Sequence, residues 1–306
     1  MSLLSLRAEI IELLSYWKTA VATTLNAVVQ ATRLVDCIGQ TFILAYKEET
    51  QLLEEWLIQA GCKCEVLRQT HQPEYRDYSR SYLCLLNHKA AWERALTSDK
   101  PTLIVEADFI PVKNFGRLPP PFDPEDDQLG IAWLYTCAPQ VYNISDRGYA
   151  EGYSTSMVAY VITAESAKLL IELADGVAAD PGPQAYTPWD SGIDYYLRDR
   201  GFMDYVPFRN YGEHGGVPNP EHQQNKLSKA HRADVLYGKL AFPPMYAAAT
   251  GTAEPSVWFK SRAYARIKGL GRLLLGKYLR VPVWMGSSQK IDLLKFVVMR
   301  QLTLRL

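Results

Sequence analysis

Thr102-Leu103-Ile104-Val105-Glu106-Ala107-Asp108-Phe109-Ile110-Pro111-Val112 decides how the rest of the chain is read. It opens as a buried strand, because Thr102 to Val105 are apolar or β-branched without a break. The run is too short for a helix and is entered through Asp99-Lys100-Pro101. Strand side chains alternate between faces, so the spacing predicts that Glu106 and Asp108 point the same way, with Ala107 opposite. Two carboxylates at the carboxyl end of an apolar strand are costly to hold without a counter-charge. A hard divalent cation that also bridges to a phosphate supplies one. The plain alternative is a strand that ends at Glu106, with both acids in water.

The flanking sequence repeats a β-α-β rhythm. Thr41 to Tyr46 reads as a strand, Leu52, Leu53, Trp56, Leu57 and Ala60 as a helix stopped by Gly61, and Cys64 to Leu67 as a second strand. A helix over about 81–96 precedes the central stretch, and Leu129 to Leu134, Met157 to Ile162 and Met203 to Val206 follow as further strands. A helix is expected from Ala164 to Ala174 and another through Tyr195, Tyr196 and Leu197. This order predicts an α/β fold, a mostly parallel sheet with helices on its faces. Leu6, Ile10, Leu13, Trp17, Val21, Leu25 and Val28 form one amphipathic helical stripe, so residues 1–38 are expected as an N-terminal helix and 39–255 as the sheet domain.

Charge divides the chain differently. The net charge is zero, but residues 256–306 hold eleven Lys or Arg and one acid, Asp292, which makes them +10 and leaves 1–255 at −10. The cations alternate with Leu, Ile, Val and Trp. Tyr264, Ile267, Leu270 and Leu274 recur at helical spacing, as do Leu294, Val298 and Leu302. This basic amphipathic tail is expected to lie on an anionic membrane surface, and the alternative is packing against the acidic remainder. Nucleic acid is not expected as a partner. Five cysteines, Cys37, Cys62, Cys64, Cys84 and Cys137, include no C-x-x-C pair and read as reduced thiols. Glu9 and Glu12 interrupt the first apolar run, which therefore does not read as a signal peptide, and no uncharged apolar run reaches membrane-spanning length.

Several residue types bear chemistry. His88 and Trp92 are four apart on one helix face, where His88 also reads as a hydrogen-bonded core residue. Asn210-Tyr211-Gly212-Glu213-His214-Gly215-Gly216 reads as a loop whose glycines let backbone approach a ligand or simply turn. His214 within it is a candidate metal ligand or a solvated histidine. Trp189, Tyr195 and Tyr196 suit stacking on a sugar ring or burial in the core.

Four blocks resemble glycosyltransferase family 25, the lipopolysaccharide-biosynthesis-type galactosyltransferases, in the same order. Cys84-Leu85-Leu86-Asn87-His88-Lys89-Ala90-Ala91-Trp92-Glu93 resembles that family's C-x-x-S-H-x-x-x-W-E helix, and Leu103 to Asp108 its I-L-E-D-D strand end. Ala159-Tyr160-Val161-Ile162-Thr163 with Ala167-Lys168-Leu169-Leu170 is similar to its A-Y-x-I block, and Ile193-Asp194-Tyr195-Tyr196-Leu197 to its x-D-x-x-L segment. The resemblance covers roughly residues 80–200. It implies a GT-A fold, a Rossmann-like sheet that binds a nucleotide-sugar donor, with Mn²⁺ or Mg²⁺ at the acidic motif. It also implies inverting transfer of a sugar from a UDP-sugar to a hydroxyl of a growing lipid-linked or polysaccharide glycan, at the cytoplasmic face of the membrane. Asp108 then becomes a direct metal ligand, Glu106 a neighbour of metal or donor, and His88 and Asn87 donor-site residues. The acceptor hydroxyl must lose its proton to a base on the opposite face of the sugar. Asp190 and Asp194 are the candidates; the resemblance favours Asp194, and Asp190 also suits a helix N-cap. The chain departs from the family at Ala107, at Asn87, at Met157-Val158 in place of Gly-Thr, and at Tyr46-Lys47-Glu48 after the first strand, so the sugar itself does not carry over, and a non-catalytic glycan- or nucleotide-sugar-binding relative is the alternative.

Overall fold

A computed structural model of the chain describes residues 32–216, 231–248, 254–279 and 281–302. The expected N-terminal helix over residues 1–38 lies mostly outside them. A single turn, Leu34–Cys37 (α1), leads into β1 (Gln40–Ala45), α2 (Gln51–Gln59), β2 (Cys64–Arg68), α3 (Arg80–Ala95) and β3 (Thr102–Glu106). After β4 (Phe109–Pro111) come β5 (Leu129–Trp133), the pair β6 (Gln140–Ile144) and β7 (Ala150–Tyr153), and β8 (Ala159–Ile162). Then follow α4 (Ala164–Ala179), α5 (Ile193–Arg198), β9 (Met203–Tyr205) and β10 (Gly212–His214). The chain closes with α6 (Pro255–Leu274), α7 (Val281–Gly286) and α8 (Lys290–Leu302).

Eight strands form one sheet in the order β2-β1-β3-β8-β5-β9-β7-β6. Six run in one direction, and β8 and β7 run against them. The fold is therefore α/β with a mostly parallel sheet, as the β-α-β rhythm predicts. Alternation along the central strands divides the core into two layers. Ile104, Phe42, Leu44 and Tyr160 face α3 and α4 with Trp92 and Leu170, while Leu103, Val105, Ile43 and Val161 face α2 with Leu53 and Leu57. The helices start where the sequence offers caps. Ser79 Oγ accepts from the Tyr82 amide at 3.1 Å ahead of α3, and Thr163 and Ser166 form a capping box at α4.

Connectivity marks one edge of the sheet. From β1 the chain crosses by α2 to β2 on one side, then by α3, on the opposite face of the sheet, to β3 on the other side of β1. The direction of winding thus reverses between β1 and β3, and open α/β sheets take ligands outside the carboxyl ends of strands at such a reversal.

Three findings differ from the sequence reading. The strand ends at Glu106; Ala107 and Asp108 form a turn, and the chain re-extends as β4, which pairs antiparallel with β10 in a separate two-stranded ribbon. Asp108 is therefore aimed by a turn and not by strand alternation. The β6–β7 hairpin went unread because Gln140 and Asn143 break any apolar pattern. The basic segment does not stand apart from the sheet domain. Arg262 meets Glu213 at 2.8 Å and Arg300 meets Asp234 at 2.7 Å, all four buried. Tyr278 donates to Asp234 at 2.8 Å, and its carbonyl accepts from Val141 of β6 at 2.8 Å. Two buried acids require counter-charges, and the tail supplies them.

Candidate metal centre

Glu106, the last residue of β3, is held from both sides: its amide donates to the Val158 carbonyl at 2.9 Å, and the next amide, of Ala107, donates to Leu44 at 2.8 Å. The turn then carries Asp108 toward β10, where His214 pairs with Phe109 and the Gly215 amide donates to the Asp108 carbonyl at 2.7 Å. One ligand atom each from Glu106, Asp108 and His214 lie within 4.8 Å of one another. His214 Nε2 is 3.0 Å from Asp108 Oδ2. Gly216 completes the cradle, because a Cβ there would stand 2.2 Å from Asp108 Oδ2 and 2.9 Å from His214 Nε2. Arg232 fixes this backbone by donating to the carbonyls of His214 and Gly216, each at 3.0 Å, with its guanidinium 3.8 Å from the Tyr246 ring centre.

The donor set fits a divalent cation. Burial disfavours the charged form of His214, yet the neighbouring Asp108 and Glu106 carboxylates override it and push its pKa up to about 9. The imidazolium thus supplies the positive charge that the two acids need, and a cation would take over that role with neutral imidazole as a ligand. Asp108 Oδ1 and His214 Nδ1 are buried without a hydrogen-bond partner among the described residues, so among these the cluster retains polar atoms with unused capacity. Two carboxylates and one imidazole suit Mn²⁺, or Mg²⁺ with the carboxylates leading.

A hydrogen-bond chain orients Glu106 from behind. Trp92 Nε1, which can only donate, gives its proton to Tyr160 Oη at 2.8 Å. Tyr160 Oη stands 2.8 Å from His88 Nδ1, and His88 Nε2 stands 3.2 Å from Glu106 Oε1. Glu106 as a carboxylate only accepts, so Nε2 carries the imidazole proton and Tyr160 donates to Nδ1. Cys84 Sγ lies 3.9 Å from the same Glu106 oxygen, and burial with the nearby acids pushes its pKa well up, so it remains a donating thiol.

The structure thus brings together Glu106, Asp108 and His214. His88, expected at the donor, is buried and acts on the site through Glu106; it is a satisfied core histidine with a carboxylate attached. Asn87 precedes it, about 100° further round the helix axis and half-buried. Asp190 stands close enough to feel the Glu106 charge, and burial raises its pKa to about 6. It caps no helix, since α5 follows Gly192 and has no side-chain cap. Asp194 lies elsewhere. It is fully buried, accepts from Tyr142 Oη at 3.0 Å and Arg198 Nη2 at 3.1 Å, and its charge adds to burial in raising the pKa of Asp204. Asp204 pairs with Ile131, which aligns through Ile162 with Thr102, so this acidic pair sits level with the start of β3. That is about 13 Å along the strand from Glu106 at about 3.3 Å per residue. The roles of Tyr160 and Arg232 carry no signal in the sequence, whereas the close approach at Gly216 matches one of the two readings of its glycine-rich loop. Tyr160 sat inside an apolar run, and Arg232 lay in a stretch without pattern.

The fold and site together describe an α/β protein with two carboxylates and a histidine clustered at the carboxyl end of its central strand β3. No protein-family model matches the chain, and no curated protein matches it. Among solved structures it is similar to a glycosyltransferase involved in glycosylation of the major capsid of PBCV-1, at 11% identity over 56% of this chain and 83% of that one, TM-score 0.35. It is similar to a Drosophila beta-1,4-galactosyltransferase 7 mutant in complex with manganese, UDP-Gal and xylobiose, at 14% identity over 63% and 76% of the two chains, TM-score 0.34. A third is the inositol-1-phosphate CTP transferase from T. maritima, at 12% identity over 55% and 65%, TM-score 0.29. Likenesses this distant carry no argument about activity, which rests on the site.

Proposed function

We propose that the chain is a metal-dependent, inverting glycosyltransferase that moves a hexose from a UDP-sugar to a hydroxyl of a lipid-linked or polysaccharide glycan. The observation that carries this reading is the convergence of Glu106, Asp108 and His214 at the carboxyl ends of β1 and β3, beside Asp190. A diphosphate needs charge neutralised at the sheet's ligand edge, and a transferred sugar needs a base nearby; this edge offers both. The family 25 resemblance supports the same chemistry.

The residues have separable tasks. Asp108, Glu106 and His214 hold the cation. When bound, that cation offsets the charge of the departing diphosphate. His88 orients the Glu106 carboxylate through its Nε2 contact. Asp190 takes the proton of the acceptor hydroxyl; with a pKa near 6 it is ionised at neutral pH and still basic enough to accept. Ala107 is outside the ligand set, so the family's middle acid is not needed for it.

The test is a screen of UDP-sugars for turnover with Mn²⁺ and with chelator. Asp108→Asn is expected to lose Mn²⁺-dependent UDP binding while its melting temperature stays that of the parent. UDP binding that ignores both metal and substitution would remove the reading.

A further inference from the structure

Helix α6 is amphipathic in the reverse of the usual sense. The side turned to the protein carries Arg262, Ala265 and Gly269, all buried. Beside them Arg266 donates to the Gln301 carbonyl of α8 at 2.7 Å, and the absence of a side chain at Gly269 admits Gln301, whose Oε1 would lie 2.8 Å from a Cβ. At about 100° per residue the opposite side carries Lys260, Tyr264, Ile267, Lys268 and Leu274. Tyr264 is 61%, Ile267 68% and Leu274 87% exposed. A helix docked by hydrophobic burial does the opposite, and three large apolar side chains in water contribute nothing to folding. Leu275 extends the patch at 70% exposure, and Ile291, Leu294 and Leu302 of α8 are exposed as well.

We infer that this outward face docks on the surface of an anionic lipid bilayer, with α6 lying in the headgroup plane. The charge pattern selects that partner. Asp292 is the one acid in residues 256–306, and it is paired with Lys295 at 3.0 Å. Lys260, Lys268, Lys277 and Lys290 are exposed among the apolar side chains. Cations beside apolar groups on one helix face satisfy headgroup and acyl boundary together. A nucleic acid would engage the lysines and leave the leucines in water. A second copy of the chain would set lysine against lysine. Among the described residues no helix is long and apolar enough to cross a membrane, so the contact is with the surface. The inference stands on the tail alone and does not require glycosyl transfer.

The test uses the full chain, sedimented at about 150 mM salt with phosphatidylcholine vesicles containing about 30% phosphatidylglycerol, and with phosphatidylcholine alone. The parent is expected to sediment with the anionic vesicles and to stay in solution with the neutral ones. Ile267→Asp/Leu274→Asp is expected to lose more than about tenfold in vesicle partition, since two apolar anchors become like-charged with the lipid. Both positions face solvent, so its melting temperature should equal the parent's. A parent that ignores anionic vesicles, or partition unchanged in the variant, overturns the inference. A solution dimer that the same variant dissolves overturns it in favour of self-association.

Discussion

Arg262→Ala probes a dependence of the metal centre on a helix that gives it no ligand. Arg262 Nη1 lies 2.8 Å from Glu213 Oε2 and 2.6 Å from the Ala233 carbonyl. Glu213 precedes His214 in β10 and also accepts from the amides of His214 at 3.0 Å and Ala233 at 2.9 Å. Removing the guanidinium strands a fully buried carboxylate, and breaking a buried pair from one side costs about 3–5 kcal/mol. The stranded group can shed its charge only by protonation, toward which burial already raises its pKa against the pull of Arg262. Urea denaturation of the variant should therefore show a loss of about 3–5 kcal/mol at unchanged slope, and a Mn²⁺ titration should show weaker binding as β10 loosens. Arg262→Met/Glu213→Gln removes both charges and should be more stable than Arg262→Met alone. A loss below about 1 kcal/mol for Arg262→Ala, or a double variant no better than the single, would refute the argument that this pair holds the ribbon.

Gly216→Ala should lower Mn²⁺ affinity at least about tenfold by calorimetric titration, because its Cβ would meet Asp108 Oδ2 at 2.2 Å. Asp190 must be ionised to accept a proton, so kcat is expected to fall with unit slope as pH drops through about 6. Asp190→Asn should lower kcat by roughly 10²–10⁴-fold with donor affinity kept, and Asp194→Asn should cost stability instead, read as a lower melting temperature.

Much of this was legible because it is local. The β3 run, the Ser79-capped helix and the β-α-β order need only apolar periodicity and a cap. Glu106 and Asp108 announced themselves as acids at a strand end. His214 stands out by residue type as a candidate ligand, but its pairing with them does not, because β4 and β10 are three residues each, too short to show a period, and lie about a hundred residues of chain apart. The resemblance favours Asp194 over Asp190, and i, i+4 spacing does not report the level within a sheet; the register beside Asp204 separates the two. In the tail, Arg262 and Lys260 are both cations in a basic stretch. What distinguishes them is Glu213, 49 residues upstream, and no composition or period carries that information.

The pairings of Arg262 with Glu213 and Arg300 with Asp234 also set an order of events. During synthesis the strand that carries Glu106 and Asp108 emerges early, with two uncompensated carboxylates at its end. His214 follows much later, and its ribbon gains its counter-charge only when α6 has formed; α8, which braces α6 through Gln301, comes last. Long-range closures of this kind are slow, and a chain stalled before α6 exposes an unneutralised Glu213 in an otherwise apolar layer. On the proposed function, cation capture would therefore be a late step in biogenesis. A nascent chain lacking α6, α7 and α8 should have its sheet nearly complete and its metal affinity absent.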